Sequence, residues 1–168
     1  MIATIRPATD ADARSVADVW LRSRRAAVPA IPEPVHDEAD VARWVAEVLI
    51  PDQRTWVAVA EDRVVAMMSL RDDWVDQLYV DPSWQGRGVG TLLLEFAKQR
   101  SAAGLDLWTF QTNEGARHFY ERHGFAPVEW TDGDNEEGAP DVRYRWPDRT
   151  ASMPRTSPSS SAHVVTPE

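Results

Sequence analysis

A glycine-rich segment in the middle of the chain has the composition of a binding loop: Gln85-Gly86-Arg87-Gly88-Val89-Gly90-Thr91. Glycines at alternate positions let the backbone adopt positive φ angles and let a ligand approach the main chain closely. The first amide groups of a following helix would attract an anion, and the Arg87 guanidinium adds a charged donor. The segment therefore predicts a cradle for a pyrophosphate group, although a tight glycine turn without a ligand explains the same residues.

The spacing of the glycines restricts which phosphate ligand this cradle could hold. A Walker A loop needs a lysine after its last glycine, and no lysine follows Gly90. The dinucleotide fingerprint G-x-G-x-x-G needs a glycine at the position of Thr91. The segment instead matches Q/R-x-x-G-x-G/A, with Gln85 as its first residue.

The apolar pattern predicts regular elements on both sides of this segment. Residues 75–80 form a β-rich run, apolar residues recur at helical spacing from about 89 to 103, and residues 105–111 form another β-rich run. A strand, a helix and a strand in this succession should place their two strands side by side and parallel. The glycine-rich segment would connect the first strand to the helix.

The remaining sequence predicts further strands and helices and a tail. We expect a strand at 3–6, a helix capped by Thr9 or Asp10, a helix opened by Asp37 or Asp40, a hairpin of 55–60 with 64–70, a helix at 114–123 and strands at 125–130 and 142–146. Residues 149–168 contain five Ser, three Thr and three Pro, a composition that cannot build a packed core. The sequence therefore predicts one α/β domain over residues 1–148, followed by a Ser/Thr/Pro-rich tail over 149–168.

Two more motifs accompany the glycine-rich segment. Leu78-Tyr79-Val80-Asp81-Pro82 precedes it, and Asn113-Glu114-Gly115-Ala116-Arg117-His118-Phe119-Tyr120-Glu121-Arg122-His123-Gly124-Phe125 follows it. Together these motifs closely resemble the GNAT superfamily of N-acetyltransferases, and the resemblance is specific over residues 74–130. It implies a mixed central sheet of about seven strands with a splayed parallel pair, flanked by about four helices.

The resemblance also implies acetyl-CoA as the cofactor and co-substrate, and no metal. Backbone amides from Arg87 to Thr91 would hold its pyrophosphate, the strand at 78–80 would pair with the pantetheine arm, and the Val80 N–H would face the developing oxyanion. For Ala116 and Phe119 of the helix predicted at 114–123, plain core packing is the alternative to contact with acetyl-CoA. The residues implied to contact acetyl-CoA are Leu78, Tyr79, Val80, Gln85, Gly86, Arg87, Gly88, Val89, Gly90, Thr91, Asn113, Ala116, Phe119 and Tyr120.

Two catalytic residues are expected from the same resemblance and from the chemistry of amine acetylation. Tyr120 would lie beside the thioester sulfur, where a phenol can protonate the leaving thiolate. The acceptor amine must lose a proton to attack, and the glutamate that serves many relatives is missing here. Asp76, which shares strand parity with Leu78 and Val80, is the favoured base, with a surface carboxylate as the alternative reading. His36 is a second candidate.

The negative charge of the chain indicates which kind of acceptor it could bind. The 168 residues carry a net charge of −9, and residues 31–52 and 129–148 carry −5 each. In the family these segments border the acceptor, which predicts a cationic amine, either a small molecule or a peptide. The alternative is that the acidic segments only maintain solubility.

Composition narrows the remaining possibilities. The chain has no apolar run that could span a membrane, its cysteine count of zero excludes a cysteine-based zinc site, and its negative charge disfavours nucleic acid. We therefore expect a cytoplasmic monomer or homodimer without membrane or nucleic-acid partners. Alternatives to the acetyltransferase are transfer of a larger acyl group and a catalytically silent acyl-CoA-binding sensor or partner module on the same fold.

Overall fold

The computed structural model describes residues 2–147, so the tail predicted at 149–168 lies outside the described residues. The strands within this range are β1 (Thr4–Pro7), β2 (Arg54–Ala60), β3 (Arg63–Arg71), β4 (Trp74–Val80), β5 (Leu105–Phe110), β6 (Ala126–Trp130) and β7 (Asp141–Trp146). The main helices are α1 (Ala13–Ala27), α2 (Glu38–Trp44), α3 (Val89–Gln99) and α4 (Glu114–Arg122). Helix α2 continues through a π-helical turn, Val45–Leu49, and a last turn, Ile50–Asp52.

The seven described strands form one sheet in the order β1-β2-β3-β4-β5-β7-β6. All neighbours are antiparallel except β4 and β5, which are parallel. Between these two strands only Trp74 and Asp106 are in register, near the amino end of each strand. The strands therefore meet at one end and diverge towards the other, which confirms the predicted mixed sheet with a splayed parallel pair.

The sheet separates two apolar cores. Side chains of Leu78 and Val80 pack with α3 and α4 on one face, and the side chain of Tyr79 packs with α1 and α2 on the other. This alternation is the ordinary behaviour of a strand that is covered on both faces. No helix within residues 2–147 has the length and apolar character needed to cross a membrane.

Local sequence explains the entry into both amino-terminal helices. The N–H of Thr9 donates to the Asp12 carboxylate (N···O 2.8 Å), which forms a capping box ahead of α1. The Asp37 side chain accepts the N–H of Asp40 (2.8 Å) and caps α2. Buried Val16 confirms the predicted apolar face of α1.

Helix α3 ends earlier than its apolar pattern predicts, at Gln99 rather than near residue 103. The chain turns instead, because the Gly104 N–H donates to the carbonyl of Ser101 (3.0 Å). Gly104 has a φ of +105°, and a Cβ there would lie 2.4 Å from the carbonyl oxygen of Trp146 on β7. The contact with β7 constrains Gly104, whereas α3 ends five residues earlier, where the N–H groups of Arg100 and Ser101 donate to Ala97 and Lys98 (3.0 and 3.3 Å).

Candidate active site

The open edge of β4 follows from its pairing with β3. The N–H of Asp81 donates to the carbonyl of Val65 on β3 (2.8 Å), and the register is regular along this part of β4. Because main-chain groups alternate between the two edges of a strand, the N–H groups of Leu78 and Val80 point towards the gap left by β5. The main chain of Tyr79 bonds β3 instead. Of the three residues expected to offer their backbone to the cofactor, two face the gap.

The carbonyl group of Val80 is already engaged at this edge. It accepts hydrogen bonds from the Ser23 hydroxyl of α1 and from the Gln85 side-chain amide (3.2 Å). Gln85 thereby fixes the end of β4 against the start of the glycine-rich segment. The N–H of Val80, like that of Leu78, is directed at the gap, and its role as an oxyanion donor stays a prediction.

The glycine-rich segment presents its main chain openly. Gly86 and Gly88 have φ angles of +72° and +80°, and a Cβ built at either position meets nothing within 4 Å. Gly88 is the N-cap of α3, so the first amide groups of that helix, which have no acceptors within the helix, lie beside this open space. The Arg87 guanidinium stands over the Trp84 ring, 4.6 Å from its centroid.

Helix α4 carries the second motif and packs on the same face of the sheet as α3. Asn113 caps the helix, and its side-chain oxygen accepts the N–H of Ala116 (3.2 Å). Ala116, Phe119 and Tyr120 are fully buried and pack with Leu78 in the core on the α3 and α4 face. Core packing is therefore shown for this helix face, and contact with a cofactor remains a prediction.

The Tyr120 hydroxyl is the unusual group on α4. It is completely buried and has no hydrogen-bond partner among residues 2–147. Burial, together with the nearby Tyr79 phenol, raises the pKa of Tyr120 well above its usual value of 10. A phenol in this state stays protonated near neutral pH and has a proton to donate.

A cleft of about 760 Å³ opens between α1, α2, β4 and the β6–β7 loop. Its wall includes the aromatic pair Trp20 and Trp44, whose ring centroids lie 6.2 Å apart. The Trp20 indole N–H donates to the Gln77 side chain of β4 (3.2 Å). The charged side chains that line the cleft are Arg24, Arg43, Arg71, Asp40, Glu47, Asp76, Glu136 and Glu137, together with His36.

Asp76 lies on this cleft, and the orientation predicted for its side chain is wrong. Ser69 of β3 lies opposite Gln77, and the next residue, Leu70, lies opposite Val75, so Asp76 is an extra residue in β4. Such a bulge breaks the alternation of side chains. Asp76 consequently lines the cleft on the α1 and α2 face instead of pointing with Leu78 and Val80. Asp76 is 5% exposed, and its carboxylate accepts a hydrogen bond from Arg71 Nη2 (3.0 Å).

His36, the second candidate for the base, also lines the cleft. Its Nε2 atom contacts a Glu136 carboxylate oxygen, which joins the loop before α2 to the β6–β7 loop. Half of the His36 side chain is exposed, whereas Asp76 is enclosed and belongs to the strand that carries the open edge. The position of Asp76 therefore fits proton removal better.

Sequence reasoning missed the side chains that connect the cleft walls. Arg24 of α1 and Glu137 of the β6–β7 loop form an ion pair (3.0 Å) whose side chains are 3% and 5% exposed. The Arg24 guanidinium also lies 5.0 Å from the Trp20 ring centroid. Burial raises the pKa of the Tyr79 phenol to about 12, although the positive charge of Arg24 and a hydrogen bond from it act in the opposite direction. The acidic segments in the sequence signalled this region but not these individual contacts.

The described residues fit acetyl-CoA on three independent features. The glycine-rich segment leaves room where any Cβ would project, the N–H groups of Leu78 and Val80 face a gap that β5 does not fill, and the buried Tyr120 hydroxyl has no acceptor among residues 2–147. A pyrophosphate, an amide-containing arm and a thioester sulfur are groups that such features can bind.

The sequence matches the family model described as "Acetyltransferase (GNAT) domain" over residues 51–127. It is 32% identical to the peptidyl-lysine N-acetyltransferase YjaB of Escherichia coli K12 over 127 residues, which cover 74% of this chain and 83% of that protein. It is 37% identical to an uncharacterised N-acetyltransferase, MJ1207, of Methanocaldococcus jannaschii over 82 residues. That match covers 46% of this chain and only 33% of the relative.

The fold is similar to solved structures of acetyltransferases. The solution structure of apo YjaB from E. coli aligns with a TM-score of 0.72 and 26% identity, covering 87% of this chain and 98% of that one. A putative streptothricin acetyltransferase from Bacillus anthracis, solved in complex with acetyl coenzyme A, aligns over 56% of this chain and 62% of that one, with a TM-score of 0.50 and 23% identity.

Proposed function

Because this chain belongs to the GNAT superfamily of N-acetyltransferases, we propose that it moves an acetyl group from acetyl-CoA to a primary amine bound in the cleft between α1, α2 and the β6–β7 loop. The observation that carries this proposal is the open edge of β4. The two N–H groups at this edge face the gap, while Asp76 and Tyr79 of the same strand line the cleft. One strand thereby separates a cofactor side from an acceptor side.

The cofactor would be held by main chain rather than by charged side chains. Amide groups at the start of α3 and in the glycine-rich segment would bind the pyrophosphate, with Arg87 as an added donor. The backbone of Leu78 and Val80 would pair with the pantetheine arm as an added strand does. When bound, acetyl-CoA supplies the acetyl group as a thioester.

The chain itself would carry the proton transfers and the charge stabilisation. Asp76 would accept the proton that the acceptor's ammonium group must lose before the neutral amine can attack, directly or through a water molecule. The Val80 N–H donates to the negative charge that develops on the acetyl oxygen. Tyr120, whose raised pKa keeps it neutral, would donate its proton to the departing sulfur, and the second proton that the nitrogen loses on becoming an amide would restore the phenol.

The acceptor proposed here is an amine, and a lysine side chain of a peptide is one candidate because the E. coli relative is named a peptidyl-lysine N-acetyltransferase. The purified full chain should release free CoA thiol from acetyl-CoA only when a suitable amine is present. Mass spectrometry should then find the acetyl group on that amine. The assay should compare lysine-containing peptides with small amines at matched concentrations.

The same measurement separates the enzyme from a silent acyl-CoA-binding module. Binding of acetyl-CoA in calorimetry without thiol release across the whole amine panel would favour the silent module. Absence of both binding and turnover would reject the proposed function altogether.

A further inference from the structure

We propose that Glu137 determines acceptor specificity by binding a second, positively charged nitrogen of the acceptor, so that the substrates are amines with another cationic nitrogen beside the reacting one. This inference rests on the proposed function and extends it from amines in general to molecules with two cationic nitrogens.

The first observation is an unsatisfied carboxylate oxygen on the cleft wall. The Oε1 atom of Glu137 accepts a hydrogen bond from Arg24 Nη2 (3.0 Å). Its Oε2 atom is buried and has no hydrogen-bond partner among residues 2–147, although the side chain lines the cleft and is 5% exposed. A buried carboxylate oxygen without a donor is costly, and an N–H group of a bound acceptor would satisfy it.

The second observation is the charge balance of the lining. Five carboxylates face three guanidinium groups and one imidazole in the cleft. Asp40 pairs with Arg43, and Asp76 pairs with Arg71, but exposed Glu47 forms no ion pair with another described residue. Glu137 pairs with Arg24 and Glu136 contacts His36, so Glu47 supplies the excess negative charge, which favours a cationic acceptor in the cleft as a whole.

The wall around these carboxylates limits the shape of the acceptor. Trp20, Trp44 and Val48 line the same cleft and offer apolar surface, which suits an alkyl spacer between two nitrogens. A linear diamine and a peptide with a lysine next to another basic residue both contain this chemistry. The experiment therefore includes both sources.

The test compares matched acceptors with the full chain. We would measure kcat/KM for a linear diamine and for the monoamine of equal length, and for a lysine peptide with a basic neighbour and its alanine counterpart. Wild type should have a higher kcat/KM for each dicationic acceptor than for its monocationic counterpart. In Glu137→Gln this ratio should fall on the order of tenfold or more, because a charged hydrogen bond to the acceptor is removed. The loss should appear mainly in KM. Whichever pair responds identifies the source of the second nitrogen.

Asp52→Asn is the control, because Asp52 is a carboxylate of the other acidic segment, 31–52, and does not line the cleft, so its removal should leave the preference unchanged. Equal losses for monoamine and diamine in Glu137→Gln would overturn the inference. If Glu137→Gln does not fold, calorimetry on the wild-type protein with CoA present tests the inference. Binding of the diamine no tighter than that of the monoamine would then overturn the inference. Acetyl transfer without any such preference rejects only this inference, whereas no transfer and no acetyl-CoA binding reject the proposed function.

Discussion

Replacing Tyr120 with phenylalanine isolates the proton-donor role, because the change removes one hydroxyl and keeps the ring. The ring contacts of Tyr120 are aromatic, with centroid distances of 5.1 Å to Phe119, 5.6 Å to Phe125 and 6.3 Å to Tyr144. Its hydroxyl has no partner among residues 2–147, so no hydrogen bond is lost. A buried polar group without a partner costs about 1–3 kcal/mol. We therefore expect the ligand-free variant to be more stable than wild type, by about 1 kcal/mol.

The kinetic effect should have the opposite sign. If Tyr120 protonates the leaving sulfur, kcat should fall on the order of 10²- to 10⁴-fold, the range of general-acid catalysis. The KM for acetyl-CoA should change little, because the interaction forms chiefly in the transition state. A variant that is more stable yet much slower would distinguish a chemical role from a structural one.

The dependence on pH provides a further check on Tyr120. Burial raises its pKa in the folded chain above the value of 10 that it has when unfolded. Below pH 10 both states hold the proton, so the group contributes no pH dependence there. Above pH 10 only the unfolded chain releases the proton, and stability should fall by up to about 1.4 kcal/mol per pH unit from this group. In thermal unfolding, the advantage of Tyr120→Phe over wild type should therefore widen above pH 10.

Tyr144→Phe is the matched control. The Tyr144 hydroxyl donates to Glu121 (2.7 Å) and accepts from Arg117 Nε (3.1 Å), so its removal should destabilise the chain by about 1 kcal/mol and leave kcat unchanged. Wild-type kcat in Tyr120→Phe with the true acceptor would refute the acid role. Loss of stability in that variant would show that the hydroxyl has a structural partner after all.

Further substitutions test the loop, the amino-terminal ion pair and the tail. Gly88→Val should abolish acetyl-CoA binding in calorimetry. Gly138 also has a positive φ and open surroundings, so Gly138→Val should cost similar stability but leave that affinity intact; equal affinity in both variants would contradict the cradle. Arg6 lowers the pKa of Asp12 to about 2, so Asp12→Asn should cost on the order of 1 kcal/mol at pH 7. Denaturant titrations should show this difference vanish as the pH falls from 4 to 2, since wild type then protonates the same carboxylate. Deletion of residues 149–168 should leave the melting temperature and turnover nearly unchanged, and a large drop in either would show that the composition was misread.

Much of the fold could be predicted because the relevant signals are local. The apolar spacing in α1 is satisfied by packing on one face, and the cap at Asp37 lies where the side-chain type indicated. The spacing of Ala116, Phe119 and Tyr120 placed these residues on one buried helix face. The open surroundings of Gly86 and Gly88 also agree with the loop that the spacing of glycines predicted.

Other features depend on contacts between distant residues and left no pattern in the sequence. The turn after α3 places Gly104 against Trp146, which lies forty-two positions further along the chain. The ion pair of Arg24 with Glu137 joins residues 113 positions apart. An acidic segment can indicate the sign of a charge near a cleft, but it cannot identify which carboxylate is paired and which oxygen is left without a donor.

Departures from regular structure account for the chemistry assigned to β4. Had β4 and β5 paired along their whole length, β5 would have taken the N–H groups of Leu78 and Val80 as ladder donors. They face the gap because only Trp74 and Asp106 stay in register. Had β4 lacked its bulge, Asp76 would have pointed towards α3 and α4, away from the acceptor cleft. The divergence thus leaves two N–H donors at the gap where we propose the cofactor, and the extra residue turns a carboxylate to the cleft where we propose the acceptor.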